Sequence, residues 1–241
     1  MNDMTGENCR SCEIAEEKVK YVEAFVNLTA LVNSSLDISV IKKLSIEAAV
    51  KLTNSEAGSL LFVDNETGEL FFDIVSGERG DRIRLVRLNK GQGIAGWVAE
   101  NRLPLIVDDV QKDERFYREA DEKSGFSTKN MICVPVEAKK NLIGVLQVIN
   151  KRTGGFTTED LVLMVTFSHQ VAIAVENARL HEEMKETFFD IVQALAETIE
   201  MRDPYTGGHT RRVMEYSLAI GDLMGLSDAE MTETAPSFHP P

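Results

Sequence analysis

The sequence predicts an α+β domain: a central antiparallel sheet with helices on one face and a pocket-forming insertion on the other. Three observations give this class. Two stretches with helical apolar spacing open the chain, a run of alternating apolar segments divided by turn sequences follows, and a long patterned segment free of proline and glycine ends it.

Residues 1–17 are polar and read as a flexible tail. From Glu17 to about Asn33 the apolar residues Val19, Val22, Phe25, Val26, Leu28 and Leu31 recur at helical spacing. "NSSLD" interrupts the pattern, and Ser34 or Ser35 is placed to cap a second helix running to about Leu52. "AGSLLFVD" and "ELFFDIVSG" flank the turn sequence "NETG" and predict a hairpin, and "RIRLVRL" predicts a third strand. A glycine-rich loop, "NKGQG", leads into a short helix around Ala95–Glu100 and then a short extended segment. "MICVPVEAKKNLIGVLQVINK" reads as two strands around a polar turn, and the segment from Phe156 to Glu200 as one very long helix.

Composition narrows the function classes. The 241 residues carry a net charge of −13, which argues against a nucleic-acid partner, since a phosphate backbone is held by clustered Lys and Arg. The N-terminus has neither the basic start nor the apolar middle of a secretory signal, and no apolar run of the ~18–20 residues needed to cross a bilayer stands out. A cytoplasmic protein without a membrane partner is expected. Three cysteines make no disulfide framework. Cys9 and Cys12 form one CxxC, either a mobile reduced pair or half of a zinc site completed by a second copy, and Cys133 reads as a small buried residue.

The glycines at 91, 93 and 96 permit close backbone approach, and the helix start after them favours an anion such as phosphate. Hydroxyls at Ser124 and Thr128 are available to the same group. "GQGIAGWVAENRLPLIVDDVQKDERFY", "GFSTKNMICVPV" and "LIGVLQVINK", in that order, resemble the GAF domain, a small-molecule sensor, over about residues 18–185. The likeness is greatest to its cyclic-nucleotide-binding branch, whose Asn-Lys, Phe-x-x-x-Asp-Glu signature is met by Asn150, Lys151, Phe156 and Asp160, with Leu161 in the last place. The resemblance implies a structural ion pair, Lys151 with Asp160. It also implies a pocket in which Ser59 approaches a purine and Val75 and Ser76 stand where that branch has an aromatic–Asp pair. Ile94 and Ala95 open the helix that meets the cyclic phosphate, and Tyr117, Asp121, Ser124, Thr128 and Gln147 complete the lining. The implied ligand is a cyclic nucleotide or another small molecule, with no other cofactor. The alternative is a ligand-free dimerisation module.

Beyond the sensor domain the long helix shows a 4-3 apolar spacing through Ile173, Asn177, Leu180, Met184, Thr187, Ile191, Ala194 and Thr198, the pattern of a parallel coiled coil. With the N-terminal helix it predicts a homodimer. "RDPYTGGHTRRVMEYSLAIGDLMGLS", within residues 186–230, resembles the opening of an HD-GYP domain, the bacterial cyclic di-GMP phosphodiesterase, in which His209 matches a position at the metal site. None of the four histidines is followed by Asp, so the defining His-Asp pair is absent; Pro236 blocks the third helix that Ser227 and Glu230 announce. The expectation is a unit truncated within its first helices, residues 231–241 as a tail, no metal, and no catalysis by this chain. "FSHQ" at 167–170 lacks the acidic residue of a histidine-kinase phospho-acceptor box, and one cysteine in the domain does not equip the GAF-fold reductase of free methionine sulfoxide.

Overall fold

In the computed structural model, residues 19, 22–64, 66–75, 87–139, 141–202 and 209–226 are described. The tail with Cys9 and Cys12, Ser76, the "RIRLV" part of the third predicted strand, "DPYTGG" and everything after Leu226 lie outside them, as do the side chains of Val75, Ser124 and His209. The chain divides into two units, residues 1–178 and 179–241.

The first unit opens with α1 (Val22–Asn33) and α2 (Ile38–Thr53). The cap of α2 is Asp37 rather than Ser34 or Ser35. Its carboxylate accepts the amides of Ser39 and Val40 at 2.7 and 3.3 Å, while the Ser35 hydroxyl accepts the amide of Asp37 itself. A carboxylate placed against the positive end of a helix outcompetes a hydroxyl one turn earlier.

The strands β1 (Ser55–Val63), β2 (Leu70–Val75), β3 (Arg87–Leu88), β4 (Leu105–Val107), β5 (Met131–Ala138) and β6 (Asn141–Lys151) form one antiparallel sheet in the order 3-2-1-6-5-4. The first and last strands are neighbours at its centre, Ser55 opposite Lys151. Between β3 and β5 lies the insertion, with α3 (Gly93–Asn101), a 3-10 turn at Val110–Lys112 and α4 (Arg118–Ser124).

The sheet separates two apolar clusters. On one face α1, α2 and the start of α5 (Thr158–Arg202) bury Ile41, Ile46, Leu146, Met164 and Phe167 against β1, β5 and β6. On the other, Ile94, Ala95 and Val98 of α3 pack on Leu61, Met131, Cys133 and Val145. The stretch Thr158–Leu195 is long and apolar enough to cross a bilayer by length and composition, which the sequence reading did not anticipate. However, 44% of its most apolar window is buried, and its residues at 164, 167 and 171 are part of the domain core.

At the β1–β2 turn, Arg87 of β3 donates to both Asp64 and Glu69, at 2.9 and 3.2 Å. Asp64 also accepts the amides of Glu66 and Thr67. The guanidinium first, then these amides, hold its carboxyl down at about 2. With the native value depressed, this contribution is present above the ordinary carboxylate range near 3.8 and is lost as pH falls through about 2. A carboxyl-carbon NMR titration should therefore show Asp64 with a midpoint near 2, moving up toward the ordinary value in Arg87→Gln.

The second unit contains the C-terminal part of α5 and α6 (His209–Leu223), closed by Gly225 at φ 70°. Tyr216, Ile220 and Leu223 of α6 are exposed. Among the described residues no group of three His, Cys, Asp or Glu side chains is arranged to hold a metal ion.

Candidate functional site

The site lies on the insertion face of the sheet. One row of residues crosses this face through Val75, Ser59, Gln147, Cys133 and Leu105, set by the antiparallel register. Ser59 and Gln147 are its polar members. Ser59 is 3% exposed, and its hydroxyl accepts a 2.7 Å hydrogen bond from the Gln147 amide. A buried hydroxyl without such a partner would cost about 1–3 kcal/mol. Cys133 beside them is fully buried, and desolvation pushes its thiol well above the ordinary range. It is held as a neutral thiol, which is neither a nucleophile nor a metal ligand.

Above this floor the loop 89–93 wraps onto the first turn of α3. Gly91 and Gly93 have φ of 79° and 72°, the left-handed region that glycine enters freely. The amide of Gly91 donates to the carbonyl of Gly96, and a Cβ on Gly96 would stand 2.9 Å from the Asn89 carbonyl oxygen. Gln92 occupies the N-cap position, yet its side chain accepts from the Asn89 amide instead of from the helix. The side chains of Ile94 and Ala95 are buried in the core, which leaves only the backbone amides of this first helical turn to serve an anion.

The segment 113–117 folds over α3. Arg115 is paired in two bonds to Asp113 and stacks 4.7 Å from the centre of the Trp97 ring. The Tyr117 Cβ lies 3.2 Å from where a Cβ on Gly93 would be, and its hydroxyl donates to Glu119 at 2.7 Å, which raises the phenol above its usual range. Asp121 is engaged by Thr128 twice, through the amide at 2.7 Å and the hydroxyl at 2.6 Å. This closes the connection from α4 to β5.

The residues singled out from the sequence thus fall into two hydrogen-bonded pairs, Ser59–Gln147 on the sheet and Asp121–Thr128 in the insertion, with Tyr117 against the glycine loop. Lys151 forms an ion pair with Asp160. The Asp160 carboxylate also accepts the Thr157 amide at 2.8 Å, while the Thr157 hydroxyl accepts the Asp160 amide, a reciprocal cap on α5.

Asn150 does more than the sequence reading assigned to it. At φ 57° and 4% exposure, its amide oxygen accepts the Lys129 amide. Its amide nitrogen donates to Glu56 and to the Ser127 carbonyl. The Asn130 side chain in turn accepts the Lys151 amide. The signal for this clamp was an asparagine at a strand end, the side chain best suited to a left-handed residue; Glu56 carried no signal at all. One continuous polar chain now runs from α4 through Asp121, Thr128, the 127–130 segment, Asn150 and Lys151 to Asp160 at the start of α5.

The comparisons agree with this architecture. The GAF domain family profile matches residues 38–175. The chain is 30% identical over 161 residues to a probable 3',5'-cyclic phosphodiesterase, pde-5, of Caenorhabditis elegans, covering 63% of this chain and 22% of that protein. It is 27% identical over 192 residues to the dual 3',5'-cyclic-AMP and -GMP phosphodiesterase 11A of Takifugu rubripes, covering 73% of this chain and 21% of that protein. The chain therefore spans about a fifth of the length of these relatives. Among solved structures, the GAF domain of a phosphoenolpyruvate-protein phosphotransferase from Coxiella burnetii has a TM-score of 0.61 at 20% identity, with 68% of this chain and 96% of that one covered. The free methionine-R-sulfoxide reductase of Neisseria meningitidis shares the fold with a TM-score of 0.57 at 17% identity, with 67% of this chain and 91% of that one covered. GAF domains are small-molecule sensor and regulatory modules of signalling proteins. With more than half its residues inside the family profile and the sheet order and insertion described above, this chain belongs to the GAF domain family.

Proposed function

We propose that this chain is the regulatory part of a bacterial cytoplasmic signalling protein. Its GAF domain dimerises and takes a small phosphate-bearing ligand on the insertion face. It passes occupancy through α5 to a C-terminal cyclic di-GMP phosphodiesterase unit of the HD-GYP type, of which residues 186–230 are the opening. His209 would act on a metal only within a complete unit of that kind.

The observation that carries the reading is the polar chain from Asp121 to Asp160. It ties the insertion to the first turn of α5 through short, part-buried bonds. The backbone amides of Ile94 and Ala95 suit the anion, and the neutral Ser59–Gln147 pair suits the hydrogen-bonding edge of a ring. The hydroxyl protons of Tyr117 and Thr128 are engaged by Glu119 and Asp121, so the anion is assigned to the backbone amides; the parts of Ser124, Val75 and Ser76 remain sequence assignments outside the described side chains. The phosphodiesterase relatives favour a cyclic nucleotide as the ligand class.

A second reading has its own support. Asp121 and Ser59 are already bonded to Thr128 and Gln147, so no ligand is needed to satisfy them, as befits a ligand-free dimerisation module.

A thermal-shift series with cyclic AMP, cyclic GMP, cyclic di-GMP and unrelated metabolites separates the two. A ligand at a hundred times its Kd adds about 2.7 kcal/mol, or roughly 5–10 °C in Tm for a domain of this size. A shift with one nucleotide, abolished in Gly96→Ala, is the expected result. No shift with any of them leaves the module reading standing.

A further inference from the structure

We propose that α5 pairs in parallel register with α5 of a second copy of this chain through an eleven-residue repeat, so that the two helices wind slowly around each other with a right-handed twist. This rests on the dimer proposed above and goes beyond it by naming which residues meet.

Three sets of residues on α5 recur eleven apart. Val162, Ile173, Met184 and Leu195 form the first, Thr166, Asn177 and Phe188 the second, and His169, Leu180 and Ile191 the third. Interleaved, they give an unbroken 4-3-4 spacing, and every one of them is exposed. The large apolar members leave between 47% and 62% of their surface in solvent. Up to Ala178 they alternate with the residues that pack on the sheet, Met164, Phe167, Val171 and Ala178, which are buried. Eleven residues in three turns is 3.67 per turn, so on the relaxed helix the stripe drifts about 20° per repeat, in the sense that a slow right-handed supercoil takes up.

The seven-residue seam legible in the sequence shares Ile173, Asn177, Leu180, Met184 and Ile191 with this stripe but then passes through Thr187, Ala194 and Thr198. Both threonines turn their hydroxyls back onto their own helix, to the carbonyls of Glu183 and Ala194. A seven-residue seam would bury these small residues and leave Phe188 and Leu195 in water. The eleven-residue seam does the reverse and removes the larger apolar area.

The occupant is a second copy because the stripe is self-matching. It extends over about 50 Å of helix without proline or glycine, a length that an identical helix meets position for position. Asn177 in the middle carries both a donor and an acceptor, so that two copies facing each other satisfy one another only in register. The stripe is also continuous at its start with an apolar groove of about 420 Å³ lined by Val22 and Phe25 of α1 and Val162, Leu163 and Thr166 of α5.

The test is disulfide trapping in a chain with Cys9→Ser and Cys12→Ser, Cys133 being buried. Single cysteines replace Phe188, Leu195, Thr187 and Ala194, all exposed, with Leu180→Cys as the position common to both seams. Under mild oxidation, Phe188→Cys and Leu195→Cys should cross-link about tenfold faster than Thr187→Cys and Ala194→Cys, since bridging needs Cβ atoms within about 4.5 Å. Faster trapping at 187 and 194 overturns the eleven-residue register while the dimer stands. No trapping at 180 or anywhere else, with a monomer by light scattering, removes the dimer itself and this inference with it.

Discussion

Asn150→Ala should destabilise the domain by about 2–4 kcal/mol in urea unfolding. Three hydrogen bonds disappear with the buried Asn150 amide, while their partners Glu56, Ser127 and Lys129 lie on exposed residues that water can partly satisfy. Each such bond contributes about 0.5–1.5 kcal/mol net, and an alanine held at a left-handed φ adds about 1–2 kcal/mol. Asn150→Gly loses the same bonds without the backbone strain, so it should be more stable than the alanine variant by about 1 kcal/mol. Equal effects would show that the backbone at 150 is relaxed. A loss under about 1 kcal/mol in both would show that the 127–130 segment is held by other contacts. If the polar chain couples site to helix, the glycine variant should also bind ligand with less protection of α5 from hydrogen exchange.

Gly144→Ala should prevent folding outright, or cost more than about 4 kcal/mol. Gly144 lies in β6 between Phe62 of β1 and Val136 of β5. A Cβ there would stand 2.0 Å from the carbonyl oxygen of Leu61 and 3.1 Å from its carbon, both backbone atoms that cannot swing aside. Accommodating it means parting the two central strands. Gly155→Ala is the control, since nothing lies within 4 Å of its added carbon, and it should stay within about 0.5 kcal/mol of wild type. Soluble expression and cooperative melting of the two proteins, measured side by side, check both statements.

The fold was legible because its signals were periodic. Alternation located β1, β2, β5 and β6, and the long 3.6-residue pattern located α5. The helix start at Ile38 was misplaced by a few residues because three capping residues, Ser34, Ser35 and Asp37, crowd one stretch, and sequence alone does not rank them. The site was legible only in parts. Glycines at 91, 93 and 96 announced a tight loop, because left-handed φ and close backbone approach exclude other residues. The Ser59–Gln147 bond joins residues 88 apart in sequence, and the Asn150 clamp reaches back 94 residues to Glu56. No local pattern encodes such pairs, since they depend on strand register and on which strand lies beside which. The seam of the long helix is not singled out by its sequence pattern for a related reason. Seven- and eleven-residue repeats share most of their positions there, and the exposure of Phe188 and Leu195 is what favours the seam proposed above.

The neighbouring placement of β1 and β6 has a consequence for how such a domain enters longer proteins. Ser55 and Lys151 face each other across one strand spacing of about 4.8 Å, so the chain arrives at the sheet and leaves it at almost the same point. A module with adjacent doors can be spliced into a longer polypeptide, duplicated in tandem or deleted while the segments on either side keep their spacing. In that sense the order 3-2-1-6-5-4 makes the domain portable, and one portable unit can serve unrelated enzymes without being rebuilt for each.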